Sequence, residues 1–438
     1  MERITAKFGG SSLADADQIR KAAAIINADT ARRYVVVSAP GKRFPEDEKV
    51  TDLLYQLYDE AENHKDWGET LLKIRTRFEN IRDTLGITTD LDSEFALIEK
   101  NLREEPQRDY LASRGEYLNG KLIASYVGAD FVDPKDMILF SGNGAFLEEE
   151  TNRQVWEKLK RSRFAVIPGF YGAMLDGTIR TFSRGGSDIT GSIIARGTAS
   201  EVYENWTDVS GMLFTDPRIV DNPRTIDFVT YKELRELSYM GASVLHEDAV
   251  FPVRKAGIPI NIRNTNRPQD QGTMIVPALP EDYVPAPITG IAGKKGFTNI
   301  YVEKSMMNVE VGFGARLLTI FAEYGLSFEH CPTGIDTIAV VINGEEFSRY
   351  EREILRDIRN ELKPDVVKVE PGVSVIAVVG SGIVGHYGVA ARVFKSIAEA
   401  GVNVLMIDSG AGEMCIIISV LDEDYERAVE AIYHEFNE

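Results

Sequence analysis

Apolar positions along the chain fall into short runs that alternate with helical repeats. Residues 4–8 form a strand-length run ending in Gly9-Gly10-Ser11-Ser12, and a helical repeat succeeds it over 15–27. Residues 34–38 are a continuous β-branched run, as expected of a buried strand. Residues 52–103 are rich in Leu, Glu, Lys and Arg and poor in Gly, which predicts long helices, a hairpin reaching beyond the sheet. A further helix over 109–127 carries Leu111, Leu118, Leu122 and Ile123. Strands at 164–167, 202–206 and 258–262 then alternate with helices at 154–160, 189–196, 231–239 and 245–255. This alternation predicts a mainly parallel α/β sheet sandwiched by helices, with ligands beyond the carboxyl ends of its strands.

The pattern changes at 277–287, where PALPEDYVPAP holds four prolines and reads as a linker that closes a domain of 1–276. Two α+β units of similar plan come next, over 288–370 and 371–438. The first has strands at 299–302, 327–330 and 337–342 and a helix at 315–324. The second has strands at 373–379, 403–407 and 415–420 and helices at 389–400 and 424–436.

Composition narrows the function classes. The chain has 438 residues, 27% charged and 44% hydrophobic, an ordinary globular profile. Its net charge of −19 argues against nucleic acid and anionic membranes as partners, because phosphate backbones attract Lys and Arg. Small phosphorylated ligands need only a local positive cluster. Cys331 and Cys415 are the only cysteines and read as reduced thiols of a cytoplasmic protein. The five histidines show no metal-ligand spacing, so no resident metal is expected. MERITAKFGG is not a signal peptide, since Lys7 and two glycines interrupt it, and the apolar runs are too short to span a membrane.

Four motifs carry candidate chemistry. In Lys7-Phe8-Gly9-Gly10-Ser11-Ser12 the glycines let backbone N–H groups approach an anion, and Lys7 adds a point charge. The alternative is a plain strand-to-helix turn. In Ser183-Arg184-Gly185-Gly186-Ser187-Asp188, Arg184 suits a two-pronged grip on a carboxylate, while Ser187 or Asp188 could simply cap a helix. Thr207-Asp208-Val209 followed by Asp216-Pro217-Arg218 is either an edge-of-sheet ligand site or a turn. Glu116, in Ser113-Arg114-Gly115-Glu116, either complements a helix dipole or holds a substrate ammonium.

Taken together and in this order, these motifs resemble the aspartate kinases of the amino-acid kinase family. Val37-Ser38-Ala39, Thr51-Asp52-Leu53-Leu54 and Gly241-Ala242-Ser243-Val244-Leu245-His246 add to the resemblance, which spans nearly the whole chain. The two C-terminal units look like the paired, ferredoxin-like ACT domains of those enzymes. The resemblance implies phosphorylation of the L-aspartate side-chain carboxylate by Mg-ATP, the first step towards lysine, threonine and methionine. It implies that Lys7 binds phosphates and stabilises the transition state, with Asp188 orienting it and Gly9, Gly10 and Ser11 supplying donors. Arg184 would hold the substrate α-carboxylate and Glu116 its ammonium, with Ser38, Thr51 and Ser187 lining the pocket. Thr207, Asp208 and Arg218 would contact the nucleotide, with Arg267 substituting for a lysine that some members carry at the position of Asn266. Lysine or threonine would bind as effector near Met307, Phe313, Gly314, Ser327, Phe328, Glu329 and Thr333. The alternative for these seven is a structural module that only dimerises. A homodimer or dimer of dimers is expected through the ACT-like units, whose strand edges a partner can cover.

Two rival readings differ in class. One is a kinase for glutamate or acetylglutamate, although Glu116 would have no ammonium to pair with on an N-acylated substrate. The other is an amino-acid-binding regulator with an inactive kinase domain, against which Lys7, Arg184 and Asp188 speak. Finally, Gly380-Ser381-Gly382-Ile383-Val384-Gly385 has the outline of a dinucleotide fingerprint. Residues 386–438 are too few for that fold, so a tight loop and no NAD binding are expected.

Overall fold

The computed structural model describes residues 3–437 except Arg184, Ser243, Val244, His246 and 410–413, and the backbone alone of Glu247 and Asp248. The chain divides into two compact units. Met1–Met212, Thr225–Tyr231 and Val244–Pro280 form the first, and Leu213–Arg224, Lys232–Ser243 and Glu281–Glu438 the second.

In chain order the first unit begins β1 (Ile4–Phe8), α1 (Ala16–Ala28), β2 (Arg32–Val37), α2 (Val50–Glu62), α3 (Gly68–Leu85), α4 (Asp92–Glu104) and α5 (Arg108–Val127). It continues with β3 (Asp130–Phe131), β4 (Leu139–Phe140), α6 (Glu148–Leu159), β5 (Ala165–Pro168), β6 (Tyr171–Met174), β7 (Ile179–Thr181), α7 (Gly186–Gly197), β8 (Val202–Thr207) and β9 (Phe228–Thr230). After α8 (Tyr231–Tyr239), which lies mostly in the second unit, come α9 (Glu247–Ala256), β10 (Ile260–Asn264) and β11 (Thr273–Val276).

Eight strands form one sheet in the order β3-β5-β2-β1-β8-β10-β11-β9, and all neighbours are parallel except β10 and β11. Alternation along a strand sends successive side chains to opposite faces, and two cores result. On β2, Val35 and Val37 join the core with Ile19 of α1, Leu54 of α2, Phe78 of α3 and Leu118 of α5. Tyr34 and Val36 join the other core, with Val155 of α6 and Ile189 and Ile193 of α7. Lys7 pairs in register with Val36, so its side chain faces α7. The long helices read in 52–103 are α2, α3 and α4, which extend the first of these cores with Leu71, Ile74, Phe95 and Ile98.

The second unit contains β12 (Gly290–Glu303), α10 (Phe313–Glu323), β13 (Phe328–His330), β14 (Thr337–Asn343), α11 (Gly344–Ser348), α12 (Glu351–Leu362), β15 (Val366–Val379), α13 (Val389–Glu399), β16 (Met406–Ser409), β17 (Cys415–Leu421) and α14 (Tyr425–Asn437). Its six strands run β13-β14-β12-β15-β17-β16. The modules interleave: residues 290–294 of β12 pair with 375–379 of β15 beside β17, while 297–303 pair with 373–366 beside β14. A boundary at 370/371 therefore falls inside β15. Two separate cores remain, one with α10 and α12, the other with α13 and α14.

Two segments before residue 277 also belong to this unit. Phe214 packs with Ile288 and Ile376, and its carbonyl accepts from Ile291 N at 2.7 Å. Glu233 of α8 accepts from Thr289 Oγ1 and Ser381 N, both at 2.7 Å. The Gly380–Gly385 segment is a tight loop followed by a helix that starts at Val389. Its glycines make room for backbone, since a Cβ on Gly382 would lie 2.1 Å from Ala286 O.

Candidate active site

β1 and β8 lie side by side with Lys7 opposite Asn205, both facing α7. Lys7 is 6% exposed, and its Nζ sits 2.5 Å from Asp188 Oδ1 in the first turn of α7. Asn205 Nδ2 donates to the same oxygen at 2.6 Å, and Tyr203 Oη donates to the Asp188 carbonyl at 3.2 Å. A buried ammonium is thus matched by one carboxylate at the carboxyl edge of a parallel sheet.

The turn after β1 is tighter than a strand-to-helix junction needs. A 3-10 turn, Ser11–Leu13, intervenes before α1, which is capped by its own Asp15 accepting from Gln18 N at 2.9 Å. Gly9 N–H is engaged with Trp206 O at 2.9 Å. The N–H groups of Gly10 and Ser11 have no partner among the described residues, so they are the donors this turn can offer an anion. Gly41 packs against the same turn, giving its N–H to Gly10 O at 2.8 Å. Arg77 of α3 holds Gly41 from behind, donating to Gly41 O at 2.6 Å, Ala14 O at 2.9 Å and Asp47 Oδ2 at 2.8 Å. Asp47 is held far below the usual carboxylate range, first by hydrogen bonding to Arg43 and further by Arg77.

Glu116 and Asn119 point from one face of α5 to the end of β2. Asn119 Nδ2 donates to Ser38 O at 2.7 Å, while the Glu116 carboxylate accepts from the backbone of Ala39. Glu116 is 5% exposed, and Oε2 is buried without a partner. Burial pushes its acid up to about 8, against the opposing pull of the Ala39 N–H. Gly115 allows this approach, since a Cβ there would lie 2.8 Å from Ala39 Cβ. Ser187 is buried in the first turn of α7 against Gly169, where a Cβ would meet its Oγ at 2.6 Å. The residue after Gly169, Phe170, has φ of 77°, a strained value for a non-glycine residue, and its N–H donates to Thr190 Oγ1 at 3.0 Å.

The other sequence-derived residues fall into three groups. Ser38, Thr51, Thr207, Asp208 and Arg267 come after or at the carboxyl ends of β2, β8 and β10 in the first unit, and Thr265 Oγ1 meets Ser12 Oγ at 2.7 Å between them. Arg218 lies in the second unit, exposed and paired with Asp216 at 2.6 Å. Arg184 lies outside the described residues, as do Ser243, Val244 and His246.

Of the effector candidates, Met307 and Phe313 are core residues beside α10, and Gly314 follows Phe313 in that helix. Ser327, Phe328 and Thr333 are exposed at or next to edge strand β13. Glu329 bonds the Tyr239 hydroxyl, which together with burial pushes that phenol up to about 12.

Reading the sequence missed Gly41, Asn119 and Asn205. Gly41 follows Ala39-Pro40 without a visible motif, and Asn205 is one polar residue inside an otherwise ordinary strand run. Only the register of β1 against β8 brings Asn205 to Lys7.

The family model of the amino acid kinase family matches residues 2–264, and that of an ACT domain matches 376–436. Aspartokinase 3 of Bacillus subtilis is 40% identical over 98% of both chains. The chain belongs to the aspartokinase family. The crystal structure of the aspartate kinase of Clostridium acetobutylicum is similar over 100% of both chains, with 44% identity and a TM-score of 0.91. Escherichia coli aspartokinase III, solved with aspartate and ADP, has the same fold at 23% identity and a TM-score of 0.72 over 100% of both chains. As an aspartokinase, the chain is an enzyme that phosphorylates aspartate with a nucleotide as donor. No described helix is long and apolar enough to cross a membrane.

Proposed function

We propose that the β-carboxylate of L-aspartate attacks the γ-phosphorus of Mg-ATP directly at the edge of the first unit's sheet. One carboxylate oxygen forms the new P–O bond, the bond to the β-phosphate oxygen breaks, and ADP leaves with that electron pair. The product is 4-phospho-L-aspartate. Free carboxylates have a pKa of about 4, so the nucleophile is already ionised and needs no general base. Catalysis then rests on position and charge.

The observation that carries this reading is the Lys7–Asp188 pair at 2.5 Å beside the unpartnered N–H groups of Gly10 and Ser11. Lys7 neutralises the transferring group while Asp188 orients it. Gly10 and Ser11 donate to phosphate oxygens. Gly9 leaves space, since a Cβ there would come 3.6 Å from Lys7 Nζ. Glu116 receives the substrate ammonium, Arg184 grips its α-carboxylate, and Ser38, Thr51 and Ser187 line the pocket. Thr207, Asp208 and Arg267 contact the nucleotide. Mg2+ enters with ATP as part of the substrate.

Lysine or threonine binds the ACT-like modules near Ser327, Phe328, Glu329 and Thr333 and biases the kinase between states of different activity. Met307, Phe313 and Gly314 shape that site from the core side. The enzyme works in the cytoplasm as a homodimer or dimer of dimers joined through these modules.

The test is acyl-phosphate trapping with purified protein, Mg-ATP and hydroxylamine. Hydroxamate should form with aspartate and not with glutamate or acetylglutamate, and added lysine or threonine should change the rate. Equal product from glutamate would overturn the substrate assignment, and indifference to both amino acids the regulatory one.

A further inference from the structure

We propose that Asn205 is a positioning residue for phosphoryl transfer, acting through Asp188 and backed by Tyr203. This rests on Lys7 and Asp188 having the roles proposed for them in the reaction. Asn205 is 2% exposed, and its Nδ2 lies 2.6 Å from the Asp188 oxygen that also receives Lys7. Tyr203, two residues earlier on the same face of β8, is fully buried and donates to the Asp188 carbonyl. The ring fits under α7 because residue 191 is glycine; a Cβ there would lie 2.6 Å from Tyr203 Oη. Two side chains of one strand therefore hold Asp188 by its carboxylate and by its backbone.

The arrangement has a mechanical consequence. Lys7 reaches Asp188 from β1, and as a flexible ammonium with three donors it can turn part of its charge towards a phosphoryl group. A carboxylate held only by Lys7 would follow it. The Asn205 amide keeps one Asp188 oxygen fixed while Lys7 shifts, so the lysine head stays within reach of its acceptor and of the transferring group. The amide carries no charge, so it fixes Asp188 without competing with Lys7 for the carboxylate's charge.

The test is steady-state kinetics on Asn205→Leu, Tyr203→Phe and a double-variant cycle with Asp188→Asn. Asn205→Leu is expected to lower kcat at least about tenfold with both KM values within about threefold of wild type. Tyr203→Phe should lower kcat a few-fold. In the Asp188→Asn background, Asn205→Leu should have no further effect, because its route to the chemistry is gone. A kcat within about twofold of wild type, or an equal and additive loss in both backgrounds, would overturn the proposal and leave Asn205 a core residue. Should Asn205→Leu not fold, Asn205→Ser is read in the same cycle with the same criteria. Wild-type turnover of aspartate, measured alongside, tests the underlying reading separately.

Discussion

Gly41 donates its N–H to Gly10 O at 2.8 Å, and the two residues touch backbone to backbone. A Cβ on Gly41 would lie 2.6 Å from the Gly10 carbonyl carbon and 2.8 Å from Ser11 N, whereas one on Gly9 would find nothing nearer than 3.5 Å. Gly41→Ala should therefore displace the turn proposed to offer donors to the nucleotide. The expected loss in kcat/KM for Mg-ATP is about 10²-fold, the scale of an ångström's misplacement near the chemistry. Gly9→Ala should cost far less in the same assay with ATP varied.

With Glu116 in its proposed role of receiving the substrate ammonium, aspartate binding should depend on pH. Burial holds its acid at about 8, so below that pH the incoming ammonium must displace a proton. KM for aspartate should fall by up to about tenfold per unit as pH rises from about 6.5 towards 8, then level off. Glu116→Gln should raise KM and abolish this dependence.

The same shift bears on stability. The folded value is above the free value of 4.5, so the contribution of Glu116 is present below pH 4.5 and lost as pH rises through 8. Glu116→Gln should gain on wild type across that window, by roughly a few kcal/mol at its upper end, as read by denaturant titration at several pH values.

On β8, the buried Glu204 is shared by two arginines and a tryptophan. It accepts from Arg32 Nε at 2.7 Å and Trp206 Nε1 at 2.8 Å, and lies 3.7 Å from Arg263 Nη1. Glu204→Gln would leave the buried Arg32 and the partly buried Arg263 without this counter-charge. Breaking such a pair costs about 3–5 kcal/mol, and urea unfolding of the variant should show a loss of that order.

The strands that carry the site were legible because apolar runs and terminal glycines mark them, and β1 spans Ile4–Phe8 as the pattern implies. The interleaving of β12 and β15 was not. Gly296 and Gly372, at φ of 83° and 74°, interrupt both strands at their register shift and make each read as shorter than its 14 residues. The hairpin of β6 and β7 also escaped, because runs of 4 and 3 residues carry no period. In the site, Lys7, Glu116 and Asp188 stood out by motif. Asn205, Asn119 and Gly41 depend on register and on backbone contact between segments distant in sequence, which a linear pattern does not encode.

In the proposed reaction Lys7, paired with Asp188, stabilises the transferring phosphoryl group. The most direct measurement is kcat for Lys7→Ala at saturating aspartate and Mg-ATP. A fall of about 10²–10³-fold, with KM for aspartate little changed, is the predicted result. Turnover at the wild-type rate in that variant would mean that Lys7 does not act on the transferring group.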